Sequence, residues 1–186
     1  MRDETADLLR LKVIVIGVEN SGKSTLVRKL SPGAKSVEHI DADGGSITVG
    51  LDIGKIDLAG CSLYFFGTPG HQRFEFARKI VSQGANIGIL LIDSVKSTSN
   101  GISQRERELE QELIRSGIPY VICANKRDVN GILPLSEIQK CFEADVHPVA
   151  AKSGHGVDEL RDILVRLIET NKHTWFSTPA KQAAIA

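Results

Sequence analysis

Gly17-Val18-Glu19-Asn20-Ser21-Gly22-Lys23-Ser24, GVENSGKS, follows the apolar run Leu11 to Ile16, LKVIVI, and leads into Leu26, Val27 and Leu30 at helical spacing. The pattern GxxxxGK[ST], set between a strand and a helix, has a physical meaning. Glycines let the backbone curl until several N–H groups face one anion, and the helix start adds partial positive charge. Gly17, Asn20, Ser21, Gly22, Lys23, Ser24 and Thr25 are therefore the candidate phosphate-binding set. Lys23 would reach the β- and γ-phosphates, and the Ser24 hydroxyl would ligate magnesium.

Outward from this loop, Ile87 to Ile92 (IGILLI) and Tyr120 to Ala124 (YVICA) are also short and apolar. Such runs fit strands covered on both faces of a parallel sheet. Ile47, Val49, Leu51 and Ile53 alternate, which predicts an edge-side strand, and Ala59-Gly60 offers a turn into the next strand, Ser62 to Phe66. The charged stretch Ser103 to Arg115 carries Leu109, Leu113 and Ile114 on one side. Val157, Leu160, Ile163, Leu164, Leu167 and Ile168 form an apolar stripe at helical spacing. The order β-α-β-β-α-β-α-β-α-β-α predicts an α/β P-loop NTPase fold, three layers α/β/α around a mostly parallel sheet. One domain is expected over 10–172, after an N-terminal extension, 1–9. The tail, 173–186, is expected to be mobile, with Trp175-Phe176 packing back on the domain.

A chain of 186 residues, 41% hydrophobic and 25% charged, suits one globular domain. Lys+Arg and Asp+Glu both number 23, so net charge gives no reason to expect nucleic acid or an anionic membrane as partner. Cys61, Cys123 and Cys141 have no metal-ligand spacing, and an odd scattered set suits a reducing cytosol. The polar start MRDETADLLR is not a secretory signal, and Arg2 excludes N-myristoylation. The end KQAAIA offers no prenylation cysteine, and no apolar run approaches the ~18 residues of a membrane span. A cytoplasmic protein with no direct membrane anchor is expected.

The base comes from a second stretch. Asn125-Lys126-Arg127-Asp128, NKRD, follows YVICA. A carboxylate there accepts two hydrogen bonds from the guanine N1–H and exocyclic amine. Adenine lacks both donors and would leave that carboxylate unpaired. Asn125 would brace the loop and contact the base, and the Lys126 stem would cover the ring. In VAAKSGHGV, Ala151 and Lys152 fall in a turn before the last helix, where a backbone N–H could bind guanine O6.

These motifs, in this order, resemble the small GTPases of the Ras superfamily over nearly the whole domain. Thr48 to Gly54 (TVGLDIG) and Gly70 to Phe74 (GHQRF) look Rab-like. The chain also resembles a prokaryotic group whose third motif reads FGTPG. The resemblance implies a sheet of six strands, and GTP or GDP bound with magnesium on Ser24 and Thr48. It also implies loops, about Pro32 to Thr48 and Gly67 to Lys79, that order around the γ-phosphate. An unidentified effector, exchange factor and GTPase activator are implied too, with roadblock-type proteins among the expected partners.

The chain departs from the family's DxxG motif. Its positions are Gly67, Thr68, Pro69 and Gly70, so Gly67 stands where an Asp normally holds magnesium's water. Gly70 N–H can still meet the γ-phosphate. Magnesium keeps several waters in any case, so weakened rather than absent binding is expected, and Gly67→Asp should tighten it. Asp52, on the neighbouring strand, is either a substitute acceptor or an ordinary strand-face Asp. His71 replaces the usual water-positioning Gln, as the PGH of translation-factor GTPases does; with Lys23 and Gly70 it completes the candidate catalytic set. Glu19 stands near the γ-phosphate position and argues for slow turnover. Asn20 resembles the Asn of potassium-stimulated GTPases, and Ala150 replaces the Ser of SAK. No Arg in SPGAKSVEHIDADGGSI offers an arginine finger in cis. The expected function is a slow GTPase switch. The alternative is a GTP/GDP-binding scaffold with negligible hydrolysis, and NKRD opposes an ATPase or kinase.

Overall fold

In the computed structural model, residues 8–40, 46–70, 75–95 and 101–176 are described, with side chains except at 37–40, 46–50 and 176. Seven strands and five helices are found among them. β1 is Leu9–Ile16, α1 Lys23–Leu30, β2 Lys35–Ile40, β3 Ser46–Leu58 and β4 Cys61–Gly67. α2 is Glu75–Ser82, β5 Ile87–Asp93, α3 Gln104–Ser116 and β6 Tyr120–Asn125. α4 is Leu135–Gln139, β7 Val146–Pro148 and α5 Val157–Phe176.

The strands form one sheet in the order β2-β3-β4-β1-β5-β6-β7. β1 pairs in parallel with β4 and β5, and the parallel run continues through β6 to β7. β2 and β3 are antiparallel additions at one edge. Alternation along β1 explains the layering. Leu11, Val13 and Val15 join α1 and α5 in one core; Ile14 and Ile16 join α3 and α4 in the other. Each strand of the parallel centre is therefore buried on both faces, which is why it reads as an apolar run.

The sheet has one strand more than expected. The added strand is β2, in a segment anticipated as an open loop. Its partner β3 is 13 residues long and presents an edge of backbone N–H and C=O groups, which the passing chain satisfies. The register slips between Val37 and His39. At the other end of β3, Ala59 (φ 50) and Gly60 (φ 71) turn the chain tightly into β4.

α3 opens on a reciprocal cap: the Ser103 side chain accepts from Glu106 N–H, and Glu106 Oε2 accepts from Ser103 N–H at 2.9 Å. α5 runs beyond residue 172, where the tail was expected to begin, and buries Trp175 in the α1/α5 core. α2 is held to α3 by charge: Arg78, 3% exposed, lies 3.4 Å from Glu112, while Phe76 and Ile80 face solvent. Among the described residues no helix is long and apolar enough to cross a membrane. Cys61 and Cys123 are buried free thiols, and burial pushes the Cys123 thiol up to about 12, making it inert.

Candidate functional site

Because β1, β4, β5 and β6 are parallel neighbours, the loops that leave them emerge at the same edge of the sheet. Residues 17–22, 67–70, 93–95, 125–128 and 149–156 are gathered there, and these segments carry most of the motifs.

The first loop is shaped by what glycine lacks. A Cβ on Gly22 (φ 100) would lie 2.3 Å from Asn125 Nδ2, and one on Gly17 would lie 2.5 Å from the Leu91 carbonyl oxygen. Asn20 takes a left-handed conformation, φ 62, which Asn tolerates better than most residues. Lys23 is buried, and its Nζ donates to the carbonyls of Gly17 at 3.1 Å and Val18 at 2.7 Å. The Ser21 hydroxyl is fully buried and has no hydrogen-bond partner among the described residues. A buried donor of that kind, beside a buried ammonium at a helix start, fits an anion. Ser24 is half-buried, and Thr25 and Glu19 are exposed.

Asn125 ties the parts together. Its Nδ2 donates to the Ser21 carbonyl at 2.8 Å, and its Oδ1 accepts from Ala151 N–H at 2.9 Å. One buried side chain thus joins the phosphate-type loop, the NKRD loop and the turn before α5. Lys126, at φ 65, is set by Asp93, whose Oδ2 lies 2.7 Å from Nζ. Arg127 N–H donates to the Val149 carbonyl, and Arg127 Nη1 to that of Leu133. Asp128 and Lys152 stand exposed at the rim.

Asp93 was not among the expected site residues. It is completely buried at the end of β5. Its one signal in the sequence is an acidic residue closing an otherwise apolar run, IGILLID.

The third motif reaches the first loop by close packing. A Cβ on Gly70 would sit 2.5 Å from Lys23 Nζ and 2.8 Å from Glu19 N. Thr68 N–H donates to the Val15 carbonyl at 3.0 Å, and its hydroxyl to the same oxygen at 3.2 Å. At the end of β4, Gly67 is the cross-strand partner of Asp52, which is buried. His71 lies outside the described residues. So does the side chain of Thr48, whose backbone belongs to β3.

The donors brought together are hydroxyls, backbone amides, an ammonium and carboxylates. This set suits a phosphate with a hard cation such as magnesium. Among the described residues no group of three or more His, Cys, Asp or Glu side chains forms a cage of its own.

Comparison with known proteins agrees with this geometry. The family model described as 50S ribosome-binding GTPase matches residues 12–126. An uncharacterized protein of Methanocaldococcus jannaschii is 34% identical over 151 residues, 81% of this chain and 92% of that protein. Translation initiation factor IF-2 of Halalkalibacterium halodurans is 23% identical over 171 residues; the match covers 86% of this chain but 22% of the factor. Among solved structures, elongation factor SelB of Methanococcus maripaludis with the GTP analogue GppNHp superposes with a TM-score of 0.66. That match has 19% identity and covers 88% of this chain and 34% of SelB. The FeoB G-domain of Methanococcus jannaschii gives 0.62 at 19% identity, over 87% of this chain and 99% of the domain.

Proposed function

The chain belongs to the GTPase family described as 50S ribosome-binding GTPase, and from that premise we propose that it binds GTP with magnesium, hydrolyses it slowly to GDP and phosphate, and acts as a nucleotide-dependent switch. The observation that carries the reading is Asn125, which joins the phosphate-type loop to the turn at Ala151. A ligand with phosphates at one end and a base at the other would meet both halves of that bridge.

In this reading the backbone N–H groups of Gly17 to Thr25 cradle the phosphates. The Lys23 ammonium exchanges its two loop carbonyls for the β–γ bridge, where charge develops as the γ-phosphoryl leaves. Ser24 and Thr48 hold magnesium, which when bound neutralises phosphate charge. Gly70 N–H takes the γ-phosphate, and only a glycine fits so close to Lys23 and Glu19. His71 orients the attacking water. Asp128 reads the guanine edge, Lys126 covers the ring from its anchor on Asp93, and the turn at Ala151-Lys152 offers an N–H to O6.

With no cis arginine and a Glu at position 19, unassisted turnover is expected at roughly 10⁻⁴ to 10⁻² per second. The stretch TVGLDIG favours a Ras-type switch. Partners that read or reset the nucleotide, roadblock-type activators among them, would meet the segments about 32–48 and 67–79. In this reading the protein acts in the cytoplasm. The test is competition for a bound fluorescent GDP: GTP and GDP should displace it, and ATP should need at least a thousandfold more. Equal displacement by ATP would refute the reading.

A further inference from the structure

We propose that Asp52, on β3, supplies the carboxylate acceptor for magnesium's water shell that Gly67, on β4, cannot supply. The proposal rests on the GTP-with-magnesium reading above and concerns one residue of that site.

The register carries the argument. Asp52 and Gly67 are paired across the β3–β4 ladder, and cross-strand partners project to the same face. A Cβ built on Gly67 would lie 3.1 Å from Asp52 Oδ2, 3.2 Å from Asp52 Cβ and 3.4 Å from Val27 Cγ2. The space into which a side chain at 67 would grow is therefore already bounded by the Asp52 carboxylate. The acid stands on β3 and borders the space that a side chain on β4 at 67 would enter.

That space lies at the underside of α1. Arg28 Nη2 lies 3.7 Å from Asp52 Oδ1 and donates to Ser36 Oγ at 2.8 Å; Ser36 Oγ donates to Asp52 Oδ1 at 2.6 Å. Ser24 and Arg28 are four apart on α1, so they share a helix face about 6 Å apart along the axis. Val27, whose Cγ2 borders the same space, is three residues beyond Ser24 on α1, about one helical turn. An acid bordering that space suits contact with the metal through a water rather than direct ligation. Arg28 and Ser36 both engage Oδ1, while Oδ2 is the oxygen turned toward Gly67. Asp52 is 3% exposed, whereas the Arg28 side chain is 58% exposed. Pairing with a surface arginine does not by itself require burying the acid, which costs desolvation.

This arrangement revises the expectation for Gly67→Asp. Alone, that change would press a second carboxylate against Asp52 and should not tighten magnesium binding. With Asp52 removed, the same change has room and restores the acid on β4.

The experiment is a magnesium titration of fluorescent GDP release, in full-length wild type and the variants D52N, R28A, G67D and the pair D52G/G67D. D52N should raise the magnesium midpoint about tenfold or more, with GDP affinity in EDTA unchanged. D52G/G67D should return it to within about threefold of wild type, and G67D alone should not lower it. R28A removes the ion pair and keeps the acid, so its midpoint should not rise. A folded D52N with an unmoved midpoint would overturn the assignment, as would an R28A midpoint raised as far as that of D52N. Wild-type release that ignores magnesium would overturn the magnesium part of the functional reading as well. A magnesium-dependent wild type with an unaffected D52N would sink Asp52 alone.

Discussion

Asp128→Asn is expected to lower GTP affinity by about a hundredfold or more and to raise affinity for xanthosine triphosphate. Asp128 stands at the exposed rim of a loop whose other residues are fixed: Lys126 on Asp93, Arg127 on Val149 and Leu133. The backbone is therefore set, and the substitution changes chemistry rather than shape. A carboxylate accepts from both guanine donors; an amide accepts with one atom and turns a donor toward the other. Hydrogen bonds to charged groups contribute about 1.5–3 kcal/mol each and neutral ones about 0.5–1.5, so losing one charged bond and weakening the other to a neutral one gives the expected factor. Xanthine presents a carbonyl in place of the exocyclic amine and meets the new donor. Competition of GTP and xanthosine triphosphate against fluorescent GDP measures both effects. Unchanged GTP affinity and selectivity would remove Asp128 from the base pocket.

Asn125→Ala should be more damaging to the fold. It removes the 2.8 Å bond to the Ser21 carbonyl and the 2.9 Å bond from Ala151 N–H, both in buried surroundings. Two backbone groups are left without their partner, at about 1–3 kcal/mol each, so unfolding stability should fall by about 2–6 kcal/mol. Denaturant unfolding of the nucleotide-free protein gives this directly. Nucleotide affinity should fall about a hundredfold or more, since the loops that grip the two ends of the ligand lose their shared brace. A drop in stability under 1 kcal/mol would mean that Asn125 is not the joint between them.

The parts legible in the sequence were those whose meaning is local. GVENSGKS and NKRD each carry their own geometry within a few residues, and the structure brings both to one edge of the sheet. The apolar runs of β1, β5 and β6 were equally readable, because burial on both faces leaves no polar alternation to confuse. What escaped depends on pairing between distant residues. β2 forms because β3 offers it an edge, and nothing within KSVEHI alone announces that. Asp93 gains its meaning from Lys126, 33 positions later. Asp52 stood as an open alternative until its register with Gly67 was in view. His71 and the Thr48 side chain lie outside the described residues, so their roles rest on motif and chemistry.

Single-turnover GTP hydrolysis with magnesium, comparing wild type with His71→Ala, decides whether the protein is an enzyme. Wild type is expected to release phosphate at roughly 10⁻⁴ to 10⁻² per second, and the variant to be slower by about tenfold or more. A wild type that binds GTP and releases no phosphate would contradict this expectation and leave a nucleotide-binding scaffold.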